Sequence, residues 1–415
     1  MTAGHRRSDG PVRTAVLLLL LLTAFGCAST DPKPTRTAII QATQEIPTEQ
    51  LIDVGVHVFD PGLPEPGEEM PEDVFPELRQ AEARFMAVQL KKTLERSGQW
   101  GAVRVLPAGQ GIADLAVSGT ILLSTGMNVA VDVRAVDAAG VVWLQERYRA
   151  NADSVAYLDE TTQPQDPFQS MYNQIANDLL EVRRKRSASE LISIRQISRM
   201  RFAADIAPVP FADYLQKDRK GRTKISKLPS RNDPMMQRVD QVRASEYLFI
   251  DTLDQHYATF TDEMDEPYAN WRKYTYEEEK AYRELKRKAT TQKILGGLAI
   301  LGAVLADPGS PAAAAVRDAA IIGGMAAIHA GIGTSKEAKI HAEALRELGG
   351  SVAMELEPIV IEVEGQTLRL TGTAQTQYEE WRRLLREIWT TETGLPSDLN
   401  QPPVGGSGSG SLDRP

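Results

Sequence analysis

The chain has 415 residues, of which 42% are hydrophobic and 25% are charged, as is ordinary for a folded globular protein. This length suits two or three domains. The formal net charge is −9 at neutral pH, which argues against nucleic acid as the main ligand, because proteins that bind polyanions carry a basic surface.

The first 26 residues have the order of a bacterial secretion signal peptide. A start with three arginines precedes an apolar run from Ala15 to Phe25, which is too short to span a membrane. Cys27 is the only cysteine of the chain and directly follows Gly26. The segment resembles a bacterial lipoprotein signal, although Ala24 stands where that motif usually has leucine. The resemblance implies that Cys27 is the acylated first residue of the mature protein, and the alternative is an ordinary signal peptide with an incidental cysteine.

The residues that follow the signal predict an anchor and a tether. Ala28 stands where an aspartate would favour the inner membrane, so the resemblance to proteobacterial lipoproteins implies transport to the outer membrane. Two or more acyl chains hold a soluble domain stably at a membrane. Residues 27–49 are rich in Thr, Pro and Ala, which is typical of a flexible tether. We therefore expect a folded body on the periplasmic face of the outer membrane.

Residues 50–190 predict one α/β domain. Apolar spacing indicates a strand, a helix, a short strand, a three-stranded antiparallel meander and a second helix. The predicted bounds are 51–59, 75–96, 100–106, 115–124, 128–137, 141–149 and 168–184. In the second strand of the meander, apolar residues alternate with Asp132 and Arg134, which predicts a sheet with one solvated face.

This order of elements carries a resemblance. Together with the stretch from Asp114 to Ile121 that enters the meander, it looks like a domain shared by several envelope proteins. They include the amino-terminal domain of TolB, the lipoprotein activators of penicillin-binding proteins and the curli secretion lipoprotein. The resemblance implies a binding or scaffolding module rather than an enzyme. The alternative is an unrelated small α/β domain.

Residues 191–291 predict a basic loop and then a helical region. The loop, 208–234, has seven basic side chains: Lys217, Arg219, Lys220, Arg222, Lys224, Lys227 and Arg231. These would meet an anionic surface of phosphate headgroups, lipopolysaccharide or peptidoglycan carboxylates, and solvated loop charge is the alternative. Residues 235–288 have helical spacing with a break at Pro267, which predicts a long helical hairpin with aromatic side chains packed between its arms.

Residues 292–348 predict a helical hairpin rich in glycine and alanine. Its first arm, 294–306, has no charged residue, a turn follows at 307–311, and the second arm covers 312–333. Small residues let helices approach closely, and the glycines singled out for assembly are Gly296, Gly297, Gly302, Gly323 and Gly324. The first arm would be about 20 Å long, whereas a bilayer core is about 30 Å thick. The hairpin is therefore either buried in the protein or an oligomer, or enters a membrane only after assembly.

The remaining residues predict a small α+β unit and a tail. Residues 349–391 indicate strands at 351–357 and 358–373, with a tight turn at 364–366, and then a helix at 374–389. The tail, 392–415, contains GGSGSGS and is predicted to be disordered.

The residues that carry chemistry in enzymes do not form a recognisable pattern. The five histidines are scattered, and the sequence has no HExxH, no Cys/His cluster and no GxSxG. We therefore predict no catalytic residues, no metal site and no cofactor. A cell-wall hydrolase built on two distant carboxylates is the residual enzymatic alternative.

These observations predict an α+β multidomain protein. The leading function is a non-enzymatic, lipid-anchored periplasmic component of an outer-membrane envelope assembly. Its expected partners are the membrane, an envelope protein or peptidoglycan, and further copies of itself. One alternative is an oligomeric secretion or pore component that inserts its apolar hairpin, and another is a cell-wall enzyme or its activator.

Overall fold

A mixed five-stranded sheet organises the N-terminal half of the chain. The structure is a computed structural model, and it describes residues 36–65, 67–69, 76–109, 113–152, 154–157, 166–306, 359–363 and 366–396. The strands are β1 (Val54–His57), β2 (Val103–Leu106), β3 (Leu115–Ser124), β4 (Asn128–Asp137) and β5 (Val142–Asn151). Their spatial order is β2-β1-β3-β4-β5, with β1 parallel to both neighbours and β3, β4 and β5 antiparallel. The predicted meander is confirmed, and the fold is α+β as predicted.

Two helices cover one face of this sheet, α1 (Pro76–Ser97) and α2 (Gln169–Arg184). Their apolar side chains, such as Met86 and Leu179, join one core with the side chains that the strands direct toward them. Helix α1 is followed by Gly98, whose φ of 62° favours glycine and ends the helix. Both helices lie within one residue of their predicted bounds, because their apolar spacing was unambiguous.

A further helix, α3 (Ala188–Ile206), begins shortly after α2, where the sequence analysis named no separate element. Its start is fixed by a capping box, in which Ser187 Oγ accepts from the Glu190 N–H and the Glu190 carboxylate accepts from the Ser187 N–H at 2.8 Å. On the sheet side, Arg195 Nε lies 3.7 Å from the Asp114 carboxylate. Four consecutive basic residues, 183–186, therefore lie at the junction of α2 and α3.

The predicted basic loop contains a small β-hairpin, which corrects the expectation of an irregular loop. β6 (Leu215–Lys217) pairs antiparallel with β7 (Thr223–Ile225). Asp218 closes the turn, since its Oδ1 accepts from the Lys220 N–H at 2.8 Å and from the Arg222 N–H at 3.0 Å. The two strands are short and carry basic side chains, so their residues show no apolar alternation that would predict the hairpin.

One helix, α4 (Pro234–Ala306), replaces the predicted helical hairpin. Its 73 residues correspond to a length of about 110 Å. The helix continues through Pro267, although a proline removes one backbone hydrogen bond. The neighbouring Tyr268 and Trp271 pack with Phe85 of α1 in a buried cluster, so tertiary contacts outweigh the local cost. The aromatic side chains thus pack on α1 and not between two arms.

Helix α4 also covers the outer edge of β2. Asp254 Oδ1 accepts from the Val105 N–H at 2.9 Å, and its other oxygen accepts from Lys91 of α1 at 2.5 Å. Arg104 donates to Asp251 at 2.6 Å. Polar side chains of α4 therefore form hydrogen bonds with the outer edge of β2, which would otherwise be an open strand edge.

The C-terminal elements are β8 (Ile359–Val363), β9 (Gln366–Leu370) and α5 (Ala374–Thr393). The strands pair antiparallel, as predicted. Helix α5 contacts α3 and α4, where the buried Glu246 carboxylate accepts from Tyr378 at 2.5 Å and from Arg382 at 2.7 Å. One continuous hydrophobic core therefore includes the sheet, α3, α4 and α5.

The segment predicted to be a tether is held against α2 over part of its length. Asn177 accepts from the Ile40 N–H and donates to the Ala38 carbonyl, both at 2.9 Å. Asn173 donates to the Thr37 carbonyl at 2.8 Å. Two asparagines one helical turn apart thus hold residues 37–40 against α2.

Several predicted features lie outside the described residues. They are the signal peptide with Cys27, the turn at 307–311, the second apolar arm with Gly323 and Gly324, the strand at 351–357, the centre of the turn at 364–366 and the end of the tail. Gly296, Gly297 and Gly302 lie in α4. Within the described ranges, no helix combines the length and the apolar character needed to cross a bilayer.

Candidate functional site

The face of the sheet opposite α1 and α2 is open over β3, β4 and β5. Side chains alternate along each strand, so every second residue of the meander points to this face. The register aligns Ser118 with Arg134 and Gln145 in one row. The next row aligns Thr120 with Asp132 and Arg147. These polar rows form the floor of a groove of about 970 Å³.

Ala108 and Gly109, which follow β2, line one side of the groove. Because β2 and β3 both run parallel to β1, the chain must return across β1 within a few residues. It passes so close that a Cβ on Gly55 would lie 2.4 Å from Leu106 Cδ1 and 3.0 Å from the Ala113 Cβ. Glycine at position 55 is therefore required by this crossing, and we call the open site the meander groove.

His57 lies at the end of β1 beside the groove. Its Nδ1 is 3.0 Å from the Pro107 carbonyl oxygen, which accepts hydrogen bonds only, so Nδ1 carries the proton. Burial lowers the pKa of His57 below its ordinary value, against the smaller effect of this hydrogen bond. The ring is therefore neutral near neutral pH, and its role is to hold the crossing chain.

Three arginines, Arg134, Arg147 and Arg149, line the meander groove together with three acidic residues, Asp60, Asp132 and Glu146. Arg147 donates from Nε and Nη2 to the two oxygens of Asp132, at 2.6 and 2.7 Å. This hydrogen bonding lowers the pKa of Asp132 below its ordinary value. Arg134 and Arg149 form no ion pair with any residue that the structure describes. The floor thus offers two unpaired guanidinium groups and several neutral polar side chains. A shallow site of this kind suits an extended, negatively charged partner surface.

The basic residues predicted as an anionic-surface contact do not act as one set. Asp218 binds Arg222 at 2.8 Å and lies 3.7 Å from Lys224 Nζ. Lys227 Nζ lies 4.6 Å from the centre of the Tyr214 ring. The side chains of Lys217, Arg219, Lys220 and Arg231 are exposed, without an ion pair to a described residue. Part of the predicted basic surface therefore stabilises the β6–β7 hairpin itself.

A second cavity, of about 680 Å³, lies between α1, α4 and the start of α2. At its edge Arg272 is only 1% exposed and donates from Nη1 to Asp166 at 2.8 Å. Its guanidinium carbon lies 4.0 Å from the Tyr268 ring centre and 4.9 Å from that of Phe168. Nε and Nη2 are buried without a hydrogen-bond partner in the described part of the chain. The rings and the ion pair make Arg272 a structural link between α4 and the segment that leads into α2.

Arg147 and Arg149 were not predicted as site residues from the sequence. Gln145, Arg147 and Arg149 occupy alternate positions of β5, so alternation places them on one face, and the register with β4 aligns that face with Arg134. In the described ranges, no three His, Cys, Asp or Glu side chains are grouped to hold a metal ion. Comparison with known proteins adds no relative, since no protein-family model matches this chain and no curated protein matches it significantly.

Proposed function

We propose that this chain is a non-enzymatic, lipid-anchored periplasmic protein that serves as a binding or scaffolding component of an outer-membrane envelope assembly. The anchor is Cys27 at the end of a lipoprotein-like signal. The binding element is the meander groove, through which the α/β domain holds an envelope protein.

The observation that carries the proposal is the pair of unpaired arginines, Arg134 and Arg149, on an open sheet face of a chain with a net charge of −9. A guanidinium group forms two parallel hydrogen bonds with a carboxylate, so this face favours an acidic protein surface. The resemblance of residues 50–190 to binding modules of envelope proteins supports the same function.

The test is crosslinking in intact bacteria, followed by purification of the lipidated full-length protein and identification of its partners. We expect Arg134→Glu to lose the partner that the wild-type protein retains, because the charge of the floor is reversed. Lys220→Glu on the β6–β7 hairpin is the matched control and should retain it. Cys27→Ala should release the protein from the membrane fraction. Equal recovery of the partner by both charge-reversal variants would refute the meander groove as the binding site.

A secretion or pore component is the second candidate, and one observation favours it. Helix α4 continues without a break into the uncharged stretch 294–306, so the body and the apolar segment share one helix. Size measurement in detergent distinguishes the two candidates. A discrete high-order ring that disappears when residues 293–335 are deleted would favour the pore, and a monomer or dimer would count against it.

A further inference from the structure

Among the residues that the structure describes, no strand pairs with the outer edge of β5. In the five-stranded order β2-β1-β3-β4-β5, β5 is the terminal strand and pairs with β4. The Ala152 N–H binds the Met127 carbonyl at 2.8 Å, and the register pairs Asn128 with Asn151. In an antiparallel pair, alternate residues direct their N–H and C=O groups toward the partner strand. Residues 144, 146, 148 and 150 therefore face β4, and the residues between them face outward.

Three outward-facing residues have their side chains on the floor of the meander groove. They are Gln145, Arg147 and Arg149, and within the described ranges none of their backbone groups takes part in a hydrogen bond outside the sheet. The edge thus offers three N–H donors and three carbonyl acceptors at the spacing of a strand. An additional strand would widen the floor of the groove by one strand.

We propose that β5 takes an extended acidic segment of a partner protein, which adds to the sheet as a sixth strand. This inference rests on the proposed function, since it specifies how the envelope partner is held. Main-chain hydrogen bonds to β5 supply the affinity. A carboxylate of the segment lies beside Arg149, which has no ion pair with a described residue, and this contact supplies the selectivity.

Charge decides between an acidic partner and a second copy of this chain. If two β5 strands paired about a twofold axis at Arg147, the two copies of Arg147 would face each other directly. An axis at Tyr148 would instead bring Arg147 opposite Arg149. Like charges directly opposite on one sheet face are destabilising, so these two registers of self-pairing are disfavoured relative to pairing with an acidic strand.

The experiment measures binding of a labelled peptide to the full-length lipidated protein in detergent micelles by fluorescence anisotropy. The probe is a twelve-residue peptide in which Glu and Thr alternate, and the reference peptide has Lys in place of Glu. We expect binding of the Glu–Thr peptide alone. Gln145→Pro removes one outward N–H and should weaken binding about tenfold, the equivalent of one hydrogen bond. Gln145→Ala removes the same side chain but keeps the N–H, so it should bind the peptide more tightly than Gln145→Pro.

A second variant keeps the proposal falsifiable if the proline disturbs the sheet. Arg149→Glu should abolish binding of the Glu–Thr peptide and admit the Lys–Thr peptide. Circular dichroism checks that each variant is folded. Equal affinities of the folded Gln145→Pro and Gln145→Ala variants would overturn strand addition, as would a failure of the Glu–Thr peptide to bind.

Crosslinking in cells separates this inference from the proposed function. A photoreactive residue at position 145 should capture the acidic partner. If Arg134→Glu loses the partner while Gln145→Pro retains it, the meander groove binds the partner without strand addition. Capture of only a second copy of the chain, or of a segment of the same chain, would overturn the inference and identify the occupant of the edge.

Discussion

Arg272 shows how a single charge joins α4 to the segment that leads into α2. Its guanidinium is almost fully buried, and the Asp166 carboxylate that it binds is also buried. Burial has the largest single effect and would lower the pKa of Arg272, but Asp166 and the neighbouring tyrosines Tyr268, Tyr172 and Tyr157 together raise the pKa well above its ordinary value. The charged form is therefore kept inside the protein, and each partner depends on the other for compensation.

We predict that Arg272→Met lowers the free energy of unfolding by about 3 kcal/mol or more, because Asp166 is left buried and unpaired. Asp166→Asn should be costly for the same reason. The double variant should lose clearly less than the sum of the two single losses, as expected for residues in direct contact. Urea denaturation of all four proteins measures the coupling. Additive losses would show that the ion pair does not link α4 to the segment that leads into α2.

At the scale of elements, Pro267 is the clearest conflict between local preference and tertiary packing. A proline inside a helix removes the hydrogen bond to the carbonyl four residues earlier and crowds it. Helix α4 nevertheless continues, because Met264, Tyr268 and Trp271 are buried against α1 on both sides of the proline. The contacts between α4 and α1 thus compensate for the free-energy cost of the proline.

We predict that Pro267→Ala stabilises the protein by up to about 3 kcal/mol, since it restores the hydrogen bond of the helix. The exposed neighbour Glu266 provides the control, because Glu266→Ala should change stability by less than about 0.5 kcal/mol. Thermal unfolding followed by circular dichroism compares the two variants. A loss of stability in Pro267→Ala would show that the packing of Tyr268 requires the distortion caused by the proline.

The elements that could be predicted from the sequence are those whose apolar spacing has one interpretation. The strands of the meander and the helices α1 and α2 have this property, and their predicted bounds are accurate to one or two residues. Helix α3 was not singled out, although Ser187 and Glu190 have the spacing of a capping box. The continuity of α4 through Pro267 could not be predicted from the sequence, because it depends on contacts with residues of α1, which are distant in the sequence.

The candidate site was only partly predictable for a related reason. Alternation in β4 correctly indicated a solvated face with Asp132 and Arg134. The register that brings Arg147 beside Asp132 depends on the turn between β4 and β5 and on an irregularity after Ala135. One side of the groove depends on the path of the chain over Gly55, which apolar periodicity does not describe.

For the whole molecule, the continuous core predicts one cooperative unfolding transition. Trp100 and Trp143 report on the sheet, and Trp381 and Trp389 report on α5, yet all four belong to the same core. Tryptophan fluorescence and far-ultraviolet circular dichroism should therefore give the same urea midpoint. Arg382→Met removes a buried contact to Glu246 and should shift both midpoints together. An earlier fluorescence transition would show that α5 unfolds separately from the sheet.

The contacts of Thr37 and Ile40 with α2 have a consequence for binding strength. Thr37 is the tenth residue after Cys27, and a fully extended chain of this length spans at most about 35 Å. With Cys27 acylated, as we propose, the meander groove would meet partners of the same membrane within a thin layer. Such confinement raises the effective concentration of a partner that is anchored in the same membrane. A shallow groove with weak intrinsic affinity is then sufficient for stable attachment at the membrane surface.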